Sequence, residues 1–155
     1  MRTCVAVLVC ACALVAQMAP GQLPAPSQKL PYRAYVAADD VYVRSGPGEN
    51  YYPTEKVEAG TEVEIYRRAP GGWYAIRPLT ESFSWVSGTH LKAGRDGLGE
   101  TVADRVPCYV GSHLSDARDV VQVRLDRGEI VQLRGVRQLG MGRSAVLWYK
   151  ISPPS

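Results

Sequence analysis

Hydrophobic and polar positions alternate in short runs along most of this chain. In VYVRS, Val41 and Val43 fall on one face and Tyr42 and Arg44 on the other. TEVEIYR repeats the pattern, with Val63 and Ile65 against Glu62 and Glu64. WYAIRP and FSWV read as two further short strands. Side chains of a strand point alternately to its two faces, so a period of two buries one face and wets the other. SGPGEN and RAPGG supply the turns, since glycine, proline and asparagine suit the backbone angles of tight turns. No window shows a convincing helical period. Short strands at this spacing, separated by turn signals, predict a small all-β barrel or sandwich.

The pattern occurs twice. When the two halves are superposed, Val57 falls on Leu125, Gly60 on Gly128, Val63 on Val131 and Ile65 on Leu133. Trp73-Tyr74-Ala75-Ile76 falls on Trp148-Tyr149-Lys150-Ile151, and Pro78 on Pro153. The extra residues of the second half lie before Gly128 and in the hairpin before Trp148, where loops accept insertions. Cys108 lies opposite Val41, an inward strand position, and is expected to be a buried core thiol. In the first half Ile76 points inward, so Tyr74 should as well, leaving Trp73 and Ala75 on the other face. Burying one tryptophan removes roughly 200 Å² from water, worth about 5 kcal/mol. Trp73 is therefore expected either to be covered as a second small core or to line an aromatic groove. Such a groove would be built from Tyr42, Tyr51, Tyr52, Trp73 and Trp85 and would take an extended peptide or glycan.

Ahead of the repeat, MRTCVAVLVCACALVAQMAPGQ has one basic residue, Arg2, and then an uncharged apolar run from Cys4 to Ala16. This is the form of a secretory signal peptide, and the run is short of the ~20 residues a membrane span needs. Cleavage is expected after Ala16 or Gly21. An uncleaved anchor, or a lipoprotein on Cys12, is the alternative. Cleavage removes Cys4, Cys10 and Cys12 and leaves Cys108, so no internal disulfide is expected. One cysteine with His90 and His113 makes no zinc cluster. QLPAPSQKLPYRA reads as an extended linker.

Charge adds little. The formal net charge is +3. Residues 34–92 hold six basic and eight acidic residues, and residues 93–155 nine and seven. Neither half has the basic stripe of a nucleic-acid-binding protein. Asp39-Asp40 precedes a strand and reads as a turn rather than an acid/base pair. SGPG lacks the strand-to-helix setting of a phosphate loop. Catalysis is not expected.

The motifs also carry a family likeness. Val41-Tyr42-Val43-Arg44-Ser45-Gly46-Pro47 resembles the opening NVRSGPS of bacterial SH3-type domains. Ala59-Gly60-Thr61-Glu62-Val63 resembles their KGTxV turn, and Gly72-Trp73-Tyr74-Ala75-Ile76 their GWYKI strand. Ser84-Trp85-Val86, followed by Thr89-His90-Leu91-Lys92, resembles their closing GWVxxxYL. Ser84 stands where the family has glycine, and His90 where it often has tyrosine. The second half matches more weakly, with Gly111-Ser112 in place of Arg-Ser-Gly-Pro.

The resemblance implies tandem five-stranded SH3-like barrels in an exported, periplasmic or extracellular protein. The expected plan is a signal helix (1–21), a Pro-rich linker (22–33), a first barrel (34–94), a hinge (95–104) and a partial second barrel (105–155). It implies a non-enzymatic module contacting cell-wall polymer or a protein or peptide partner, with no cofactor, no metal, no nucleic acid and no stable membrane span after cleavage. The alternative is a structural segment of a longer envelope protein. LWYKISPPS halts the second unit one strand early, so that unit is expected to be incomplete and to lean on the first unit or on a partner.

Overall fold

A computed structural model describes residues 28–154; the predicted signal segment and most of the predicted linker, 1–27, lie outside the described residues. The fold is all-β. The first half supplies β1 (Tyr32–Tyr35), β2 (Val41–Arg44), β3 (Pro53–Val57), β4 (Glu62–Arg68) and β5 (Tyr74–Ile76). Next come β6 (Ser84–Ser87), a 3-10 turn (Gly88–His90) and β7 (Leu91–Ala93). The second half supplies β8 (Leu98–Thr101), β9 (Val106–Val110), β10 (Val121–Leu125), β11 (Ile130–Leu139) and β12 (Val146–Ile151).

The two halves share strand pairings and a turn. β1 pairs with β4 and places Ala34 opposite Val63; β8 pairs with β11 and places Gly99 opposite Val131. Gly60 and Gly128 adopt φ of 83° and 82°, the left-handed region that favours glycine, at the same turn. Their amides donate to the Val36 and Thr101 carbonyls, each at 2.8 Å. Thus β1-β4-β5 corresponds to β8-β11-β12, and the β2-β3 hairpin to β9-β10.

The two halves differ in one strand. In the second half, β6 lies between β12 and β9, pairing Val86 with Tyr149, Trp85 with Lys150, and Trp85 with Tyr109 on the other side. This joins β6 and β7 to the second half in a seven-stranded curled sheet of order β10-β9-β6-β12-β11-β8-β7. In the first half the corresponding strands stay apart, as a three-stranded sheet β1-β4-β5 and a two-stranded sheet β2-β3. The closing strand that the sequence assigns to the first unit therefore closes the second. With β6 in place, the edge and core of the second half are covered. The first unit carries the opening.

Core packing follows this allocation. Val86 and Leu91 pack with Val106, Cys108, Leu125 and Ile151 in the buried cluster of the second unit. Val41, the counterpart of the fully buried Cys108, is 40% exposed. Tyr74, expected to face inward, is 53% exposed, because no strand covers the far side of β5 among the described residues.

Two stretches read as connectors are strands. The predicted linker runs into β1, and the predicted hinge contains β8. LGET shows no hydrophobic alternation because Gly99 must lack a side chain: a Cβ there would lie 2.6 Å from Leu91 Cδ2. The tight turn before β8 closes with the Gly94 amide donating to the Leu98 carbonyl at 2.8 Å, so β7 and β8 form a hairpin.

Candidate functional site

The space left between β2-β3 and β1-β4-β5 is a cavity of about 1030 Å³, walled on the second-half side by Phe83, Val110, His113 and Pro153. Its floor includes Val43, Val57, Val63, Ile65 and Ile76, the inward positions of the alternating pattern. Tyr42 and Trp73 stand on its two sides, one on the β2 hairpin and the other just before β5. Asp39 and Asp40 shape the entry to β2, as the sequence suggests. The Asp39 Oδ1 accepts from the Ala59 amide at 2.9 Å, and Asp40, at φ 58°, holds Lys56 Nζ at 2.7 Å.

Of the five aromatic candidates, the cavity brings Tyr42 and Trp73 together. Tyr42 is half exposed and carries Lys56 Nζ at 4.9 Å and the Arg44 guanidinium at 5.2 Å from its ring centre. This leaves the rim aromatic, with Arg44 as a cation and Lys56 paired to Asp40. Tyr51 instead lies flat over the SGPG turn, so close that a Cβ on Gly46 would sit 2.2 Å from its ring. Tyr52 is half-buried and does not line the cavity.

Trp85 must be corrected. It is only 1% exposed and offers no surface to a ligand. Its indole packs edge-on to Phe83 at 5.3 Å, with the Arg118 guanidinium over it at 4.2 Å and Lys150 Nζ at 5.3 Å. Arg118 also lies 5.4 Å from Trp148, which meets Tyr109 at 5.7 Å. Burial pulls the Arg118 pKa down from its ordinary value, against the opposing pull of Asp116. The tryptophans of the second unit thus form a cation-capped outer core. The signal for this was Lys150 itself, which stands where the first unit has Ala75.

His113 is held by backbone groups on both sides. The His113 amide donates to the Thr54 carbonyl at 2.7 Å, and its ring Nε2 contacts the Glu81 carbonyl at 3.0 Å. Among the described residues no cluster of three or more His, Cys, Asp or Glu is placed to hold a metal, and no helix is long and apolar enough to cross a membrane.

Cys108 is fully buried, and burial pushes its thiol from 9.0 up to about 11, slightly opposed by a Ser84 hydrogen bond. A thiol is neutral when protonated, so the unfolded chain loses this proton first as pH rises. The Cys108 contribution to stability is therefore intact below pH 9.0 and declines as pH rises from there toward 11. Urea unfolding across that range should show a steeper decline for the native chain than for Cys108→Ala. Identical slopes would contradict the assignment.

No curated protein and no solved structure matches this chain. Residues 39–92 match the family model of the bacterial SH3 domain, a stretch that runs from β2 through β7 and so includes the closing strand lodged in the second unit.

Proposed function

We propose that this chain is an exported, non-enzymatic binding module of the cell envelope, contacting wall polymer or an envelope protein in the cleft of its first unit. One observation carries the reading: the unit that matches the bacterial SH3 domain holds an apolar cavity of about 1030 Å³ with Tyr42 and Trp73 at its sides. Concave, mostly apolar sites with a few polar groups at the rim are where ligands bind. The Arg44 guanidinium over Tyr42 adds positive charge that suits the carboxylates of wall peptides, while Lys56 is paired with Asp40. Export rests on the apolar run from Cys4 to Ala16, and periplasmic or extracellular residence follows from it.

The test is sedimentation with purified sacculi. The native chain should co-sediment, and Trp73→Ala or Tyr42→Ala should weaken binding roughly fivefold or more, the worth of an aromatic contact of about 1 kcal/mol. Binding unchanged in both variants would remove the cleft from the function. The second reading, a structural segment of a longer envelope protein, draws on the strand lent between the units, which makes the two halves one connected body. It expects no sedimentation at all.

A further inference from the structure

The first unit lacks a strand at one definable place, and the second unit shows what fits there. β6 bridges β9 and β12; by the repeat, the corresponding vacant lane runs between β2 and β5. The positions that flank β6, Tyr109-Val110 and Trp148 to Ile151, correspond to Tyr42-Val43 and Trp73 to Ile76. Among the described residues β2 pairs only with β3, and β5 only with β4, so both edges bordering the lane present backbone groups without strand partners. Exposed edges of this kind template the addition of another strand.

We propose that this lane is an acceptor for an extended polypeptide strand from a partner protein, carrying the chemistry of Ser84–Ser87: an aromatic residue and a β-branched residue between two small polar ones. This names the partner class for the cleft and rests on reading the cleft as a binding site. The side-chain logic follows from the occupied lane. Val86 enters the core of the second unit and is fully buried. The same position in the vacant lane faces the cavity over Val63, Ile65 and Ile76. Trp85 faces outward, beside Tyr109 and Trp148. In the vacant lane its counterpart would lie beside Tyr42 and Trp73, with Ala75 leaving the room that Lys150 takes in the second unit. The partner's aromatic would complete a three-ring face, and main-chain pairing on both sides would supply affinity.

The chain's own strand does not serve. The described residues contain two lanes and one donor. Returning β6 to the first unit would strip Val86 and Leu91 from the core around Cys108 and Ile151. A second copy faces the same shortage, so exchange between copies gains nothing. Among the described residues no further strand is available, and the proposed donor is a partner protein.

The probe is a synthetic peptide of residues 81–92, ESFSWVSGTHLK, with a nitroxide at its N-terminus, added to the intact chain. Amide hydrogen exchange and paramagnetic broadening are read by NMR. The expected result is slowed exchange at Tyr42-Val43 and Tyr74–Ile76 with broadening confined to the first unit, and unchanged protection at Trp148–Ile151. A peptide carrying V86D should bind about tenfold more weakly or worse, since it would bury a carboxylate in an apolar cavity. All substitutions are in the peptide, so the fold of the chain is not at stake. Absence of binding, equal binding by the V86D peptide, or broadening around Tyr109 and Lys150 would each overturn the proposal. If the peptide fails while sacculi still sediment the chain in a Trp73-dependent manner, the strand acceptor falls and the binding cleft stands. If both fail, both readings fall.

Discussion

A fragment of residues 82–154 should fold cooperatively, whereas a fragment of residues 105–154 should not. Both contain β9 to β12, but the second lacks β6, β7 and β8. It loses Val86 and Leu91 from the core cluster and the strand that joins β12 to β9. Each of these side chains is worth about 1.5–3 kcal/mol when fully buried. A domain of about 50 residues has only a few kcal/mol in hand, so the deficit exceeds what it can absorb. β8 adds a second loss, because Thr101, 1% exposed, binds the Asp126 carbonyl and accepts from the Glu129 amide at 3.0 Å. Circular dichroism with urea titration decides the matter. A cooperative transition in the shorter fragment would show that β6 decorates the second unit and does not complete it.

The second large effect uses the repeat as its own control. Ile76 and Ile151 occupy the same position, but Ile151 is fully buried under β6 whereas Ile76 is half-buried beside the open lane. Ile151→Ala should cost about 3–4 kcal/mol, the transfer of the lost methyl and methylene groups plus a cavity that a closed sheet cannot collapse. Ile76→Ala should cost about 1 kcal/mol, because its side chain gives up less burial and adds to a space already open. Site-resolved hydrogen exchange separates the two, since β9 to β12 and β1 to β5 report on different units. Equal costs would mean that the first unit is as closed as the second, and the strand-acceptor lane would go with that result.

Much of this molecule was legible in its residues. Alternation at Val41-Val43 and Val63-Ile65 located β2 and β4, because a period of two has one meaning when turns bound it. The repeat placed Gly60 with Gly128 and Cys108 on a core strand, and each prediction follows from backbone angle or side-chain volume at a single site. Tyr42 and Trp73 were expected in an aromatic groove, and both line the cavity of the first half. The errors have physical causes. Trp85 was assigned to a surface because in its own unit that face is half-open. Tyr74 was assigned to a core because alternation tells which residues share a face, not whether anything covers it. β8 was missed because its packing requires the absence of a side chain.

What the sequence determined alone is local: all-β strands, their faces, their turns, the duplicated plan and the motif of a closing strand at Ser84-Trp85-Val86. Which unit that strand would close is not a local property, since β5 and β12 offer it nearly the same edge. Only the tertiary structure decided it, and the reasons are physical. The β7-β8 hairpin fastens the segment to β11 of the second unit. Lys150 and Arg118 then cover Phe83 and Trp85 with cations that Ala75 cannot supply. One strand with two equivalent edges goes where its neighbours along the chain are already anchored, and the other edge stays without a strand partner among the described residues.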